Sequence, residues 1–532
     1  MKKIYFLLII LIQFQIASAQ SSGSLKGIVH TSDGQPAQDV NLVLKGSGKG
    51  ATTNHLGEYA IVNIKPGKFT LVISFVGHKT LEHEVEVSSG VETIVPEIIL
   101  NESAEQLAEI VIRGSKINSF DNKESEYVSK IPLKKMENSQ VYSSITKELL
   151  KEQLVFSIDD AVKNSPGVQK MWEATGRSGD GGAYYNARGF VLQSQLRNGI
   201  AGNVTSRIDA ANLERVEVIK GPSATLFGST LTSYGGLINR VTKKPFERPA
   251  GEVTLSSGSF GFSRVSTDVN APLTEKKDIL FRLNAAYQNE GSFQDYGFSN
   301  SLAIAPSLTY KMNDKLTLQL DAEIYSGKNS SKQMIFFYYP AAQLGATRAD
   351  QLGIDYNRAY STNSIYQTSA NTNLFGQLTY RISNSWTSQT NFTSTRSFSN
   401  GPGAYFYVVP NSVVTGNSAD TGADYLVRTD QSTSNNVMQV TEVQQNFLGD
   451  FNLANMRHRF IGGIDLFYQN SNQLFYGVDP FDIIKKNGVI PQYENFNSDK
   501  LDSALQNGSP WKYPYSYKQA RSVHTLQMQS IY

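Results

Sequence analysis

The chain contains no cysteine, which excludes disulfide staples, thiolate nucleophiles, thiolate metal sites and an acylated cysteine behind the leader. Its six histidines show no HExxH pair or other zinc spacing, so no protein-held metal and no resident cofactor is expected. His83-Glu84 falls in an alternating strand, where a structural role is expected. Gly46-Ser47-Gly48-Lys49-Gly50 lacks the spacing and closing Ser/Thr of a phosphate loop and fits a hairpin turn instead. With no nucleophile elbow and no Ser-His-Asp arrangement, nothing argues for an enzyme. Charged residues make up only 18% of the chain and the net charge is +2, which gives no case for a nucleic-acid partner. Beyond the N-terminus no segment reaches the ~18 to 20 apolar residues of a membrane helix, so any bilayer crossing must be made by a closed β-barrel.

What is present begins with a leader. Lys2 and Lys3 precede the apolar run 4–16, and Ala17-Ser18-Ala19 offers the small residues read by signal peptidase. Residues 1–19 are therefore expected to be a signal peptide cleaved before Gln20, and the chain is expected to be exported. The 27 Tyr and 27 Phe suit the aromatic girdles of a membrane barrel, although a secreted β-sandwich would share them.

Four segments follow. Residues 24–100 alternate apolar and polar residues in short runs at 26–30, 40–44, 59–64, 69–75, 82–87 and 93–100, parted by Gly, Asn and Pro turns. This spacing predicts a small antiparallel β-sandwich. Residues 101–138 form a polar linker holding one β-prone run, 107–114 (Leu-Ala-Glu-Ile-Val-Ile-Arg-Gly). Such a run is suited to pairing as an edge strand with a partner, and its plainer alternative is a last strand of the sandwich. Residues 139–245 predict an α+β domain: Ser157 is a helix N-cap ahead of Asp159 and Asp160, Asn164-Ser165-Pro166-Gly167 ends that helix, and glycine-rich 176–182 is an exposed loop. Its close, 213–245, predicts strand, Gly221-Pro222 turn, short helix, Gly235-Gly236 turn and strand.

From residue 246 the strands lengthen. Phe281, Leu283, Ala285 and Tyr287 share one face and Arg282, Asn284 and Gln288 the other; Leu316, Leu318, Leu320, Ala322 and Ile324 repeat this against Thr317, Gln319, Asp321 and Glu323. Lipid outside and a polar lumen inside would produce this pattern. About ten such strands are expected by pattern, joined alternately by tight turns (274–278, 313–314, 383–384, 454–457) and long loops (326–371, 397–436, 470–518).

The phrase Gly235-Gly236-Leu237-Ile238-Asn239-Arg240-Val241-Thr242-Lys243-Lys244-Pro245, with Arg188-Gly189-Phe190 before it, closely resembles the plug domain of TonB-dependent outer-membrane receptors of the siderophore type. Gly27, Gly34-Gln35-Pro36, Gly57-Glu58-Tyr59, Pro66-Gly67 and Val76-Gly77-His78 resemble the carboxypeptidase regulatory-like domain that precedes such receptors in Bacteroidetes. The resemblance implies a mainly β protein. Its parts would be a small N-terminal β-sandwich (24–100), a linker with a TonB box (Leu107, Glu109, Ile110, Val111, Ile112), an α+β plug (139–245) and the first part, about ten strands, of a 22-stranded antiparallel transmembrane β-barrel (246–532). A plug of this size needs a lumen of about 22 strands, and the chain stops at Tyr532 inside an alternating run, so a C-terminally truncated receptor is expected.

By the same resemblance the protein imports ferric siderophore complexes across the outer membrane, with iron as cargo held by the chelate. Its partners would be TonB, with ExbB and ExbD in the inner membrane, the ferric siderophore and outer-membrane lipid. The expected cargo contacts on the plug are Arg177, Tyr184, Tyr185, Gln193, Gln195 and Asn203. In or beside the long loops, Phe336, Tyr338, Tyr405 and Tyr407 are expected, within aromatic runs that also hold Phe337, Tyr339 and Phe406. Arg188 and Lys220 are the expected plug-to-barrel contacts, Lys220 lacking the two-pronged guanidinium usual there. A SusC-like glycan importer shares the general layout; the 236–245 phrase and the lack of a plug phrase built on Ala-Ala-Asn-Gly favour the siderophore branch. A structural or adhesive surface protein would leave the plug motifs unexplained.

Overall fold

The computed structural model describes residues 22–531 apart from 33, 76–79, 101–118, 179–180, 201–206, 222–223, 228–232, 331–333, 455 and 488–492. The leader and the 107–114 run therefore lie outside the described residues, as does Asn203. Contacts divide the chain into residues 1–116 and 117–532.

The N-terminal unit holds two sheets. Glu58–Ile64, Gly23–Thr31 and Glu92–Ile94 form one, with Ile98–Leu100 also pairing Gly23–Thr31; Lys49–Thr52, Asn41–Leu44, Gly67–Ser74 and Leu81–Val87 form the other. The period-two pattern turns Leu25, Val29, Leu42, Leu44, Ile61, Leu71 and Ile73 into one buried core. Two details differ from expectation. Gly23–Thr31 pairs in parallel with the last two strands, so the unit is mixed rather than antiparallel. Lys49–Thr52 is a strand against Asn41–Leu44, which shortens the expected 46–50 turn.

The inner domain of the second unit is a four-stranded sheet in the order Tyr142–Thr146, Leu213–Lys220, Gly236–Thr242, Ser194–Arg197. The first three strands are antiparallel, and Ser194–Arg197 runs parallel to Gly236–Thr242. A meander of Val168–Trp172, Tyr184–Ala187 and Phe190–Leu192 lies beside it. Ser157 caps the helix Ile158–Ala161, its side chain accepting from the Asp160 amide, and Ala224–Phe227 is the short helix between the closing strands. Gly236 sits at φ 132°, where a Cβ would lie 2.0 Å from the Ile219 carbonyl oxygen. Only glycine lets this strand start so close to its neighbour.

Two segments are more tightly built than their composition suggests. Glu124–Ser125 pairs with Leu133–Lys134, Ile131 and Leu133 pack on Ile461, and Glu137 pairs with Arg459 at 3.0 Å, so this half of the expected linker is ordered. In the glycine-rich 176–182 stretch Gly176, Ser178, Gly181 and Gly182 are buried and Arg177 is partly buried, rather than exposed. Ser178 donates its amide to the Ser399 hydroxyl at 3.0 Å and accepts from Gln473 Nε2 through its carbonyl at 3.0 Å. The absence of side chains lets this backbone lie flat against the wall around it.

That wall is a large antiparallel sheet whose main path runs in chain order through Ala250–Ser257, Ser263–Pro272, Ile279–Glu290, Ser299–Asn313, Leu316–Asn329, Gln367–Arg381, Trp386–Gly401, Ser432–Leu453, Met456–Asn472 and Tyr517–Ile531. Its burial is the reverse of a soluble protein's. Val253 and Leu255 are 68% and 78% exposed, and Ile324, Phe392, Val443 and Leu466 are exposed, whereas Arg282, Asn284, Asn391, Glu442 and Gln444 are buried. An apolar outer face and a polar inner face suit lipid outside and a filled lumen inside.

The long loops carry a fold of their own. Ile335–Phe336, Ala404–Val409, Tyr425–Asp430 and Asp482–Lys485 form a four-stranded sheet. It closes over a core that includes Tyr360, Phe406, Val408, Leu426, Phe496 and Leu501.

Candidate functional site

Alternation within Ala404–Val409 decides which aromatics are available. Ala404, Phe406 and Val408 point into the loop core, with Phe406 1% exposed, while Tyr405 and Tyr407 point the other way. Ile335–Phe336 pairs alongside and adds Phe336, stacked on Tyr338 at 5.4 Å and edge-on to Tyr405 at 5.8 Å; Tyr338 in turn meets Tyr407 at 5.2 Å. Offset and edge-to-face contacts of this kind hold the rings in fixed orientations.

These rings wall a cavity of about 520 Å³. Its base is Thr175 and Arg177 of the inner domain; Phe336, Tyr338, Tyr405, Trp511 and Tyr513 supply the aromatic side, and Gln367, Gln431 and Asp479 the polar one. The Arg177 guanidinium donates to the Gln431 side-chain oxygen and lies 5.8 Å from the Phe475 ring. Tyr407 donates its hydroxyl to Asp479 at 3.0 Å. Burial, joined by this hydrogen bond and the Asp479 charge, pushes the Tyr407 phenol above its ordinary range, so it remains a donor. Next to the cavity, Asp430 is fully buried, accepting from the Ser432 hydroxyl and, at 2.8 Å, from the Val478 amide. Burial pushes its carboxyl up to about 6. Rigid aromatic faces with a few fixed polar groups suit a bulky, partly apolar ligand.

Below the cavity a charge network clamps the inner domain to the wall. Glu323 accepts from Arg240 Nη1 at 3.0 and 2.8 Å, from Asn212 at 3.0 Å and from Asn373 at 3.3 Å. Arg197 pairs with Asp321, approaches Glu323 at 3.3 Å and lies over the Phe375 ring at 3.4 Å. Arg264 of the wall grips Asp209 in two-pronged fashion at 2.7 and 2.8 Å. Lys243 and Arg282 share Asp268 at 2.9 and 2.8 Å. Among the described residues no group of three or more His, Asp or Glu is placed to hold a metal ion.

Comparison with known proteins gives this arrangement a family context. Residues 134–233 match the model of the TonB-dependent Receptor Plug Domain. This stretch of the inner domain is thus similar to a receptor plug. Residues 25–112 match the CarboxypepD_reg-like domain. The metal-pseudopaline receptor of Pseudomonas aeruginosa is 37% identical over 116 residues, covering 22% of this chain and 16% of that protein. The ferripyoverdine receptor of the same organism is 31% identical over 205 residues, covering 37% and 24%. Among solved structures, the pyoverdine outer-membrane receptor of P. aeruginosa bound to pyoverdine aligns with TM-score 0.58 and 19% identity over 78% of this chain and 57% of that one. The ferric preacinetobactin receptor of Acinetobacter baumannii aligns with TM-score 0.59 and 14% identity over 78% and 63%. The chain thus spans a quarter or less of these two curated relatives in matched sequence and about three fifths of the solved chains.

The expected site residues separate into groups. Arg177, Phe336, Tyr338 and Tyr405 come together around the cavity, with Tyr407 behind Tyr338. Tyr185 does not join them: it is 1% exposed in the plug core, because alternation along Tyr184–Ala187 turns it inward. Tyr184 packs on Trp172 at 4.4 Å, and Gln193 is half-buried with an unpartnered Nε2; neither lines the cavity. Phe406 is core, Phe337 is exposed and Tyr339 packs on the loop core. The side chain of Gln195 lies outside the described residues.

Arg188 and Lys220 are the two plug positions that the resemblance singles out as barrel contacts. Arg188 occupies the left-handed corner of the hairpin before Phe190–Leu192, at φ 55°, and is exposed. Among the described residues neither it nor Lys220 forms an ion pair with the wall. The acidic wall residues instead meet Arg197 and Arg240, on the two strands that face them. A signal for this lay in the sequence, because Asp321 and Glu323 share the lumen side of one alternating strand and Arg240 interrupts an apolar one.

Proposed function

We propose that this chain is the plug-bearing portion of a TonB-dependent outer-membrane receptor that imports ferric siderophore complexes into the periplasm. The observation that carries the reading is the cavity in which Arg177 of the plug meets the aromatic faces of the loop sheet. A ligand seated there touches the plug and the outer loops together, so its arrival is transmitted to the element that blocks the lumen. A siderophore satisfies Fe(III) with its own oxygen donors, and the receptor then needs aromatic walls and a few donors rather than metal ligands. Names of the relatives, receptors for ferric and other metal chelates, favour the same cargo class. In this reading residues 1–19 direct export, the outer strand faces contact lipid, and 107–114 pairs with TonB, which ExbB and ExbD energise.

The test is uptake of iron from ferric siderophores by iron-limited cells producing the receptor. Arg177→Gln and Tyr338→Ala should each lower affinity about tenfold to a hundredfold, the effect of losing a charge-assisted contact or a stacked ring. Uptake of an oligosaccharide with no uptake of any iron chelate would replace this reading with the glycan importer.

A further inference from the structure

The charge of the cavity narrows its cargo. Among the described lining residues, Arg177 and Asp479 are the charged side chains, one of each sign, and the rest of the wall is aromatic, aliphatic or amide apart from the Thr175 hydroxyl. A ferric tris-catecholate is a trianion, and a site built for it would gather several guanidinium or ammonium groups. Here the single guanidinium leans on the Gln431 carbonyl oxygen, and a carboxylate stands in the same wall, held by the Tyr407 hydroxyl at 3.0 Å. Lys512 does not alter the sum, since alternation along Trp511–Pro514 sends it to the face opposite Trp511 and Tyr513, where it is exposed.

Resting on the ferric-chelate reading above, we infer that the cargo is a ferric chelate without net charge, of the trihydroxamate class. Three singly charged hydroxamates neutralise Fe(III), and the complex presents amide-like oxygens and methylene surface. Arg177 and Gln431 can donate to those oxygens, and the faces of Phe336, Tyr338 and Trp511 can cover that surface. A trianion would meet the Asp479 carboxylate with repulsion that, across about 8 Å of hydrated cavity, lowers affinity on the order of tenfold.

The experiment titrates the purified full chain in detergent, at low salt, with ferrichrome as the neutral ferric trihydroxamate and with ferric tris-catecholate, reading binding by calorimetry. Wild type should bind ferrichrome more tightly than ferric tris-catecholate, because Arg177 and Asp479 leave the trianion no net attraction to offset its lost hydration. Asp479→Asn keeps an acceptor for Tyr407 and removes the negative charge, so the ratio of the two affinities should move about tenfold toward the trianion. Circular dichroism of the variant checks that its strands are intact. Tighter binding of the tris-catecholate by wild type, or an unmoved ratio in a folded Asp479→Asn, overturns the charge inference and leaves the siderophore reading standing. Binding of neither chelate overturns both.

Discussion

Replacing Glu323 with Gln tests how the plug is held. The carboxylate takes two hydrogen bonds from Arg240 and one each from Asn212 and Asn373, with Arg197 Nε at 3.3 Å. The Arg197 and Arg240 side chains are buried, so water cannot take over the lost interaction. Glutamine keeps the shape, removes the charge and turns one acceptor into a donor that faces the Arg240 guanidinium. Asp321 remains for Arg197, but Arg240 loses the carboxylate it meets. Removing one partner of a buried ion pair costs about 3 to 5 kcal/mol. At ~1.4 kcal/mol per decade, plug-to-wall opening should become roughly a hundredfold to a few thousandfold more frequent. Amide hydrogen exchange of the full chain, read by mass spectrometry, should show this loss of protection in Gly236–Thr242 and Ser194–Arg197, while Gly67–Ser74 of the N-terminal unit exchanges as before. The double variant Arg240→Met/Glu323→Leu should recover part of the protection, because no charge is then stranded. Unchanged exchange in Gly236–Thr242 of Glu323→Gln would refute the clamp.

Two further outcomes are expected. Asp430 has a folded carboxyl near 6 through burial, against an unfolded value of ~3.9. Below about pH 4 both states hold the proton; between about 4 and 6 only the folded state does, so stability falls as pH rises and levels off above 6, by about 3 kcal/mol in all. Urea unfolding of the loop sheet should show this fall in wild type and lose it in Asp430→Asn; parallel pH profiles would count against it. In 107–114, Ile110→Pro removes a backbone donor and should abolish capture of the TonB C-terminal domain in a pull-down, whereas undiminished capture would place the pairing strand elsewhere.

Much of the architecture was legible because it depends on period-two alternation, which a single sequence displays directly. The apolar outer and polar inner faces of Ile279–Glu290 and Leu316–Asn329, the Ser157 cap and the strand-helix-strand close of the inner domain follow from local pattern. The loop sheet was not legible: its strands come from three separate loops, and pairings such as Tyr425 with Lys485 leave no local trace. For the same reason Trp511, Tyr513 and Asp479 escaped notice as cavity residues, although Arg177 and Phe336 were found. Tyr184 and Tyr185 cannot both face a ligand, because adjacent residues of a strand point to opposite sides, and Tyr185 takes the core side. Glycine content misled at 176–182, where small residues permit close burial against Ser397 and Ser399 rather than exposure.

The most direct test is a fluorescence titration of the purified full chain with a ferric siderophore, because Trp511 lines the cavity whereas Trp386 stacks on Phe451 and Trp172 packs at a tilt against Tyr184. Bound ferric chelate should quench the emission saturably, and Trp511→Phe should remove most of that quenching. Absence of saturable quenching, or quenching that persists in full in Trp511→Phe, would contradict the cavity as the cargo site.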